Sequence, residues 1–94
     1  MPNVDRDIVQ REIVELIANV LLVDRERVEQ VDAQAEDFLT GLGANSIDAL
    51  EVIVSVEDRY GISFDDSEMN LGLVRTLSAF VDRVVEKRRA QAEA

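Results

Sequence analysis

One serine is the residue most able to take part in chemistry. Ser46 ends the segment Leu42-Gly43-Ala44-Asn45-Ser46 and precedes a long amphipathic stretch. The chain has no histidine and no cysteine, so no Ser–His or Cys–His pair can activate a nucleophile, and most zinc and haem ligation is excluded. We therefore expect Ser46 not to be a catalytic nucleophile. Any covalent chemistry at its hydroxyl needs another enzyme to remove the proton.

Ser46 is predicted to stand at the start of a helix that runs to Tyr60 and ends at Gly61. Two interpretations of that position are open. In the first, Ser46 is an ordinary N-cap whose side chain bonds a free backbone N–H group. In the second, the free N–H groups and the positive end of the helix dipole favour a phosphate. A phosphodiester on the Ser46 hydroxyl would be electrostatically well placed there.

Carboxylates are the other abundant reactive groups, and they support neither a hydrolase nor a metal site. A carboxylate-based hydrolase needs two acids facing each other across a cleft, whereas the acids here are expected on a convex, water-facing surface. Twelve-residue calcium loops that begin at Asp24, Asp32 or Asp66 lack glycine at position six and glutamate at position twelve. We expect no catalytic residue and no metal ligand.

The charge is strongly negative and unevenly distributed. The net charge is −10, and the stretch 36–68 contains nine acidic residues and one basic residue, which account for eight of those ten charges. Such a field repels nucleic acid and anionic membranes and attracts proteins with basic patches; the alternative is that it only keeps a small protein soluble. No apolar run is long enough to span a bilayer, and Met1-Pro2-Asn3 does not begin a signal peptide. A cytoplasmic monomer is expected.

The length and periodicity predict one all-α domain. The 94 residues suffice for a single domain, with a core over about 4–89 and a frayed tail over 90–94. The first predicted element is a helix from Val4 to Val23, capped by Asn3 or Asp5, and a helical turn at 24–27 follows it. The second helix begins at Ser46, and a short third helix is expected from Asp65. A fourth helix is predicted from the N-cap Thr76 to about Arg89. Val28, Val31, Phe38 and Leu39 are expected to anchor the long first connection to the core. The fold class is a four-helix bundle of three main helices and one short one, with a long first loop.

A helical wheel divides the Ser46 helix into three arcs. The core arc is Ala49, Val52, Ile53, Val56 and Tyr60, and the water-facing arc is Asp48, Glu51, Ser55, Asp58 and Arg59. The third arc, beside Ser46, consists of Ile47, Leu50, Val54 and Glu57. Its aliphatic residues either widen the core stripe or form an apolar edge that contacts a partner, with the neighbouring acids supplying steering and register.

These residues resemble the acyl carrier protein family. The resemblance lies in Leu42-Gly43-Ala44-Asn45-Ser46-Ile47-Asp48, in acids two, five, eleven and twelve residues after the serine, and in Arg59-Tyr60-Gly61-Ile62. It implies the family's helical bundle and a 4′-phosphopantetheine arm on Ser46 that holds acyl groups as thioesters. The partners that it implies are a phosphopantetheinyl transferase and acyl-loading and condensing enzymes with basic docking patches. The matching partner-binding positions are Asn45, Ile47, Asp48, Leu50, Glu51, Val54, Glu57 and Asp58.

The sequence departs from the family's pattern near the serine. Asn45 stands where aspartate is usual, so one negative charge beside the arm is missing while hydrogen bonding is retained. Ile47 replaces the usual leucine, and the stretch before Thr76 is slightly longer than usual. A discrete carrier of polyketide or other secondary-metabolite synthesis is therefore as consistent with the sequence as a fatty-acid carrier. The alternative from another class is an acidic helical interaction module in which Ser46 is only an N-cap.

Overall fold

Over the residues that the structure describes, the fold consists of three long helices and two short ones. The computed structural model describes residues 5–69 and 72–93, and within those ranges it contains helices and no strand. The helices are α1 (Arg6–Leu21), α2 (Arg25–Glu29), α3 (Phe38–Gly41), α4 (Ser46–Tyr60) and α5 (Leu77–Glu93). The predicted all-α bundle is confirmed, and α4 has the predicted bounds.

The core is apolar throughout and lies between the three long helices. Among the described residues, no polar or charged side chain is buried. The predicted core arc of α4 is confirmed, since Ala49, Val52, Ile53, Val56 and Tyr60 are all buried. Phe80 of α5 is fully buried, and its ring centre lies 6.5 Å from that of Phe64. This core fixes the orientation of α4 and therefore which of its residues face outward.

Polar side chains define where α1 and α5 begin. Asp5 accepts a hydrogen bond from the Asp7 N–H at 2.9 Å, so Asp5 caps α1; the other candidate, Asn3, and the predicted first residue, Val4, lie outside the described residues. The Thr76 hydroxyl accepts a hydrogen bond from the Ala79 N–H at 3.0 Å, which confirms Thr76 as the cap of α5. Helix α5 runs to Glu93, beyond the end expected near Arg89.

The first connection contains α2 and an additional short helix, α3. The predicted turn after Asp24 is present as α2, with Val28 buried. Phe38 and Leu39 are buried anchors, as predicted, but they lie in α3, which is too short to show helical periodicity in the sequence. The Asp37 N–H donates to the Arg75 carbonyl at 2.8 Å, and the Ser78 N–H donates to the Ala33 carbonyl at 2.9 Å. These bonds attach the connection to the beginning of α5.

The segment after α4 differs from the prediction. Gly61 ends α4 in the left-handed conformation (φ 63°), as its position predicts. The prediction of a short helix from Asp65 is wrong for the described residues, because residues 66–68 form only a turn. Aspartate and serine are poor helix formers, and Glu68 closes this turn locally by accepting the Asp65 N–H at 3.0 Å.

The side chain of Tyr60 joins α4 to α1, and its ionisation reports on the packing of these two helices. Its hydroxyl donates to Glu12 Oε1 at 2.7 Å, and Arg59 donates to Glu12 Oε2 at 3.0 Å. Burial, and then the hydrogen bond to Glu12, raise the pKa of Tyr60 well above its ordinary value near 10.0, and the same bond is the main cause of a lowered Glu12 pKa. The folded state thus favours the neutral phenol, and the stabilisation that Tyr60 contributes is lost as the pH rises above 10.

Ionisation of the single tyrosine can be followed by tyrosinate absorbance. We expect Tyr60 to titrate near pH 10 in the urea-unfolded chain. In the folded chain it should titrate at a clearly higher pH, together with unfolding seen by circular dichroism. Equal midpoints in the two states would show that the Tyr60–Glu12 bond does not form in solution.

Candidate functional site

Asn45 caps the helix that begins at Ser46. The Asn45 Oδ1 atom accepts a hydrogen bond from the Asp48 N–H at 2.8 Å, and Asp48 Oδ2 accepts one from the Asn45 N–H at 3.1 Å. Together they form a reciprocal capping box. The interpretation of Ser46 as the N-cap is therefore wrong. An Asn-x-x-Asp spacing in the sequence was the available signal.

Ser46 is the first residue inside α4, and its side chain is exposed. Among the described residues, no hydrogen-bond partner of the Ser46 hydroxyl is present, and none is present for the backbone N–H groups of Ser46 and Ile47. The first turn of a helix has such free donors because no earlier carbonyl is in place to accept them. The site thus presents a free hydroxyl next to two free N–H donors at the positive end of the helix.

A tight turn brings the chain from α3 to this site. The Gly43 N–H donates to the Thr40 carbonyl at 2.9 Å, and the Ala44 N–H donates to the Leu39 carbonyl at 2.9 Å. Gly43 has φ 87°, a conformation that residues with a Cβ rarely adopt. This turn lets Leu42 enter the core while Asn45 and Ser46 remain at the surface.

An apolar strip runs along α4 beside Ser46. It consists of Ile47, Leu50 and Val54, whose exposed fractions are 74%, 47% and 50%. These side chains lie outside the core, so the interpretation as a widened core stripe is wrong and the arc is an exposed apolar edge. Contiguous exposed apolar residues on a small protein commonly mark a contact surface.

The structure divides the four acids of α4 into two kinds. Within the described part of the chain, Glu51 and Asp58 are exposed and have no ion-pair or hydrogen-bond partner. Asp48 is held in the capping box, and Glu57 accepts the Phe64 N–H at 2.8 Å. The sequence predicted one role for all four residues. The structure shows that Asp48 and Glu57 also hold backbone in place.

Other acids of the same stretch are neutralised locally. Glu36 pairs with Arg75 at 3.0 Å. Glu68 accepts hydrogen bonds from Lys87, at 2.9 Å, and from Arg83. The bond from Lys87 is the largest cause, with the Asp65 N–H next, of a Glu68 pKa lowered to about 2. Glu51 and Asp58 therefore remain as the acids of α4 most available to a partner.

Neither a membrane-spanning helix nor a metal-binding cluster is present among the described residues. No helix in the described ranges has the length and apolar character needed to cross a membrane. The residues described also include no group of three or more acidic side chains placed to hold a metal ion.

A family comparison identifies the class of protein. A family model described as "Phosphopantetheine attachment site" matches residues 11–84, from the first half of α1 to near the middle of α5 and including Ser46. The chain belongs to the acyl carrier protein family. The resemblance noted in the sequence is confirmed, and the cofactor of the family is phosphopantetheine.

Two relatives named as carriers agree with this assignment. "Acyl carrier protein 3" of Ralstonia nicotianae is 32% identical over 65 residues, which cover 68% of this chain and 74% of the relative. "Acyl carrier protein 4, chloroplastic" of Arabidopsis thaliana is 24% identical over 80 residues, which cover 84% of this chain and 58% of that protein's length. The expectation of a carrier without catalytic groups is confirmed by this family membership. A carrier of this family works with a phosphopantetheinyl transferase and with biosynthetic enzymes.

The described residues fit a phosphopantetheine group. Attachment needs a serine hydroxyl that a second enzyme can reach, and the Ser46 side chain is exposed and unbonded among the described residues. The free N–H groups of Ser46 and Ile47 are suited to phosphate oxygens. Because Asn45 supplies the cap, modification of Ser46 removes no bond that the helix needs.

Helix capping gives a stability test of these assignments. Asn45→Ala is expected to lower the free energy of unfolding by about 1 kcal/mol, because the Asp48 N–H loses its acceptor. Ser46→Ala should change it by less than about 0.5 kcal/mol, and Asn45→Asp, which keeps the acceptor, should behave like the wild type. Urea unfolding followed by circular dichroism measures all three. A larger loss for Ser46→Ala than for Asn45→Ala would restore Ser46 as the cap.

Proposed function

We propose that Ser46 carries 4′-phosphopantetheine and that residues 1–94 act as a single carrier domain. The observation that carries this proposal is the free, exposed hydroxyl at the first position of α4, which is not needed as a cap because Asn45 fills that role. The terminal thiol of the bound arm supplies the chemistry, by holding acyl groups as thioesters. The chain itself contributes the attachment oxygen, two N–H donors and a surface that partners can contact.

Attachment is a phosphoryl-type transfer from coenzyme A. The Ser46 oxygen bonds to the phosphorus that bears pantetheine, the pyrophosphate bond of coenzyme A breaks, and 3′,5′-ADP leaves. The Ser46 proton passes to a base of the transferase, because this chain has no histidine to accept it. The transferase must therefore bind around the beginning of α4.

The partner surface of this proposal combines two features of α4. The apolar strip supplies contact area, and Glu51 and Asp58 attract basic patches and set the register of docking. Asp48 and Glu57 add negative potential while they keep their backbone contacts. Asn45 retains the cap without a charge, and we propose that it tunes which enzymes accept the arm.

The proposed setting is cytoplasmic biosynthesis of acyl chains. Partners would be enzymes that load and condense acyl groups, in fatty-acid synthesis or in polyketide and other secondary-metabolite synthesis. The names of the two relatives support the carrying of acyl groups. The competing interaction-module hypothesis loses its main support, because it assigned Ser46 the capping role that Asn45 performs.

Intact-mass spectrometry tests the proposal. Apo-protein incubated with coenzyme A, magnesium and a broad-specificity phosphopantetheinyl transferase should gain one phosphopantetheinyl group and no second one. A reaction without coenzyme A is the control. A chain that stays unmodified with several such transferases, each active on a known carrier in the same assay, would favour the interaction module.

A further inference from the structure

Leu22 is an apolar side chain that lies in water at the end of α1. Its exposed fraction is 90%, the largest among the exposed large apolar residues of the described chain. Val20 and Leu21 before it and Val23 after it pack only partly against the core. A run of four apolar residues with an almost fully exposed member is unfavourable in water unless it forms a contact surface.

The backbone of Leu22 is a second unfavourable feature. Leu22 is the C-cap of α1 in the left-handed conformation (φ 57°, ψ 43°), and the N–H of Val23 donates to the Ala18 carbonyl at 3.1 Å. Glycine is the usual residue at such a helix end, because a Cβ is strained there. Strained positions concentrate at functional sites. Exposure and strain at the same leucine therefore indicate a role in contact with another molecule and not in folding.

Helices α4 and α5 run in the same direction. At one end, Ser46 lines a small cleft together with Val74, which precedes α5 by three residues. At the other end, the Tyr60 carbonyl accepts a hydrogen bond from Arg88 at 2.8 Å. The beginning of α4 therefore lies at the end of the bundle where α5 also begins.

Helix α1 runs in the opposite direction. Near its start, Arg6 pairs with Asp82 at 2.5 Å. About two turns further along α1, Val14 lines a groove together with Leu77, the first residue of α5. The chain of α1 thus approaches the start of α5 as it proceeds. Leu22, which follows the last residue of α1, lies at the end of the bundle where α4 begins.

We propose that Leu22 is an apolar contact for the phosphopantetheinyl transferase. The inference rests on the proposed attachment at Ser46, because that reaction requires the transferase to bind around the beginning of α4. A protein interface of standard size covers about 800 Å² on each partner, which corresponds to a reach of roughly 16 Å from its centre. The two shorter dimensions of the molecule are 27 and 21 Å. A footprint of that size around Ser46 extends across this end of the bundle to Leu22.

Charge separates this occupant from two others. The net charge of −10 makes a second copy of the chain and an anionic membrane repel the surface around Leu22. The same charge attracts an enzyme with a basic docking patch. Asp24 and Glu26, which follow Leu22 closely, are exposed acids. The complementary site on the transferase is therefore an apolar pocket beside basic side chains.

Steady-state kinetics of the modification reaction test the inference. Leu22→Asn removes the apolar side chain and keeps a residue that tolerates the left-handed conformation. It should raise KM for the apo-protein on the order of tenfold. It should leave kcat unchanged, because the contact is the same in the bound substrate and in the transition state. The increase in KM should be equal at low and high salt, since burial of an apolar side chain is not screened by ions.

Ile8→Asn is the matched control for this substitution. Ile8 is another exposed apolar residue, with an exposed fraction of 51%, but it lies near the start of α1 at the opposite end of the bundle. Its replacement should leave both kinetic constants unchanged. Leu22→Met keeps an apolar side chain of similar size and should behave like the wild type. The urea midpoint of Leu22→Asn should not fall below that of the wild type, which excludes unfolding as the cause of the higher KM.

The possible outcomes separate this inference from the proposed function. An unchanged KM for Leu22→Asn, or an equal increase for Ile8→Asn, overturns the contact and leaves the attachment at Ser46 standing. A wild-type chain that accepts no arm overturns both. Leu22→Gly provides the same test if Leu22→Asn does not fold. A dimer of the wild-type chain in sedimentation experiments that Leu22→Asn abolishes would assign the side chain to a second copy and contradict the inference.

Discussion

Ser46→Ala is expected to abolish phosphopantetheine attachment completely while leaving the fold intact. The substitution removes the oxygen that forms the phosphodiester, so no slower reaction at the same position can replace it. The Asn45–Asp48 capping box is retained, because neither of its hydrogen bonds involves the Ser46 side chain. Circular dichroism and urea unfolding should therefore match the wild type, while the intact mass in the transferase assay stays at the apo value.

Ser63→Ala is the matched control for this loss. Ser63 is an exposed serine in the segment after α4, and the same change there should leave full modification. Modification of Ser46→Ala to the wild-type extent would place the arm on another hydroxyl and contradict the proposal.

The second large effect is expected from charge reversal on α4. Glu51→Lys and Asp58→Lys each replace an acid that has no partner in the described structure. Each reversal should lower kcat/KM for modification by a transferase with a basic docking patch on the order of tenfold at low salt, which corresponds to about 1.4 kcal/mol. Added salt should reduce the difference, because exposed charges are screened over about 10 Å at 0.1 M ionic strength.

Glu15→Lys supplies the control for the charge reversals. Glu15 is exposed on α1, so the substitution changes the net charge equally but away from α4. Glu57→Lys is a poorer probe, since it also removes the acceptor of the Phe64 N–H. Equal effects of Glu15→Lys and Glu51→Lys, or effects that do not depend on salt, would show that α4 is not the docking surface.

Most of the fold could be predicted because its signals are local and periodic. The apolar spacing of α4 gave its bounds and its three arcs, and Thr76 gave the start of α5. The short helix α3 could not be predicted in this way, because it spans about one turn and depends on a tertiary hydrogen bond from the Asp37 N–H to the Arg75 carbonyl. The length of α5 likewise depends on distant contacts. Arg88 and Gln91 donate to the Tyr60 and Gly61 carbonyls, at 2.8 Å and 2.7 Å, and hold its last turns against the end of α4.

The position of the site could be predicted from the sequence, but the separate roles of its residues could not. The sequence allows either Asn45 or Ser46 to be the cap, although the Asn-x-x-Asp spacing favours Asn45. The extended backbone of Asn45 (φ −96°, ψ −178°) and its bond to the Asp48 N–H decide between them. The same holds for Glu57, whose bond to the Phe64 N–H depends on the return of the chain after Gly61. The substitution of asparagine for the usual aspartate is thereby partly explained, because its capping oxygen is preserved.

Localisation of the arm on the modified wild-type chain tests the central claim most directly. Tryptic cleavage yields the peptide 28–59, whose hydroxyl-bearing residues are Thr40, Ser46 and Ser55. Fragmentation of the modified peptide should place the whole phosphopantetheinyl mass on Ser46. Fragments that carry this mass on Thr40, on Ser55 or on a different peptide would contradict the assignment of Ser46 as the attachment site.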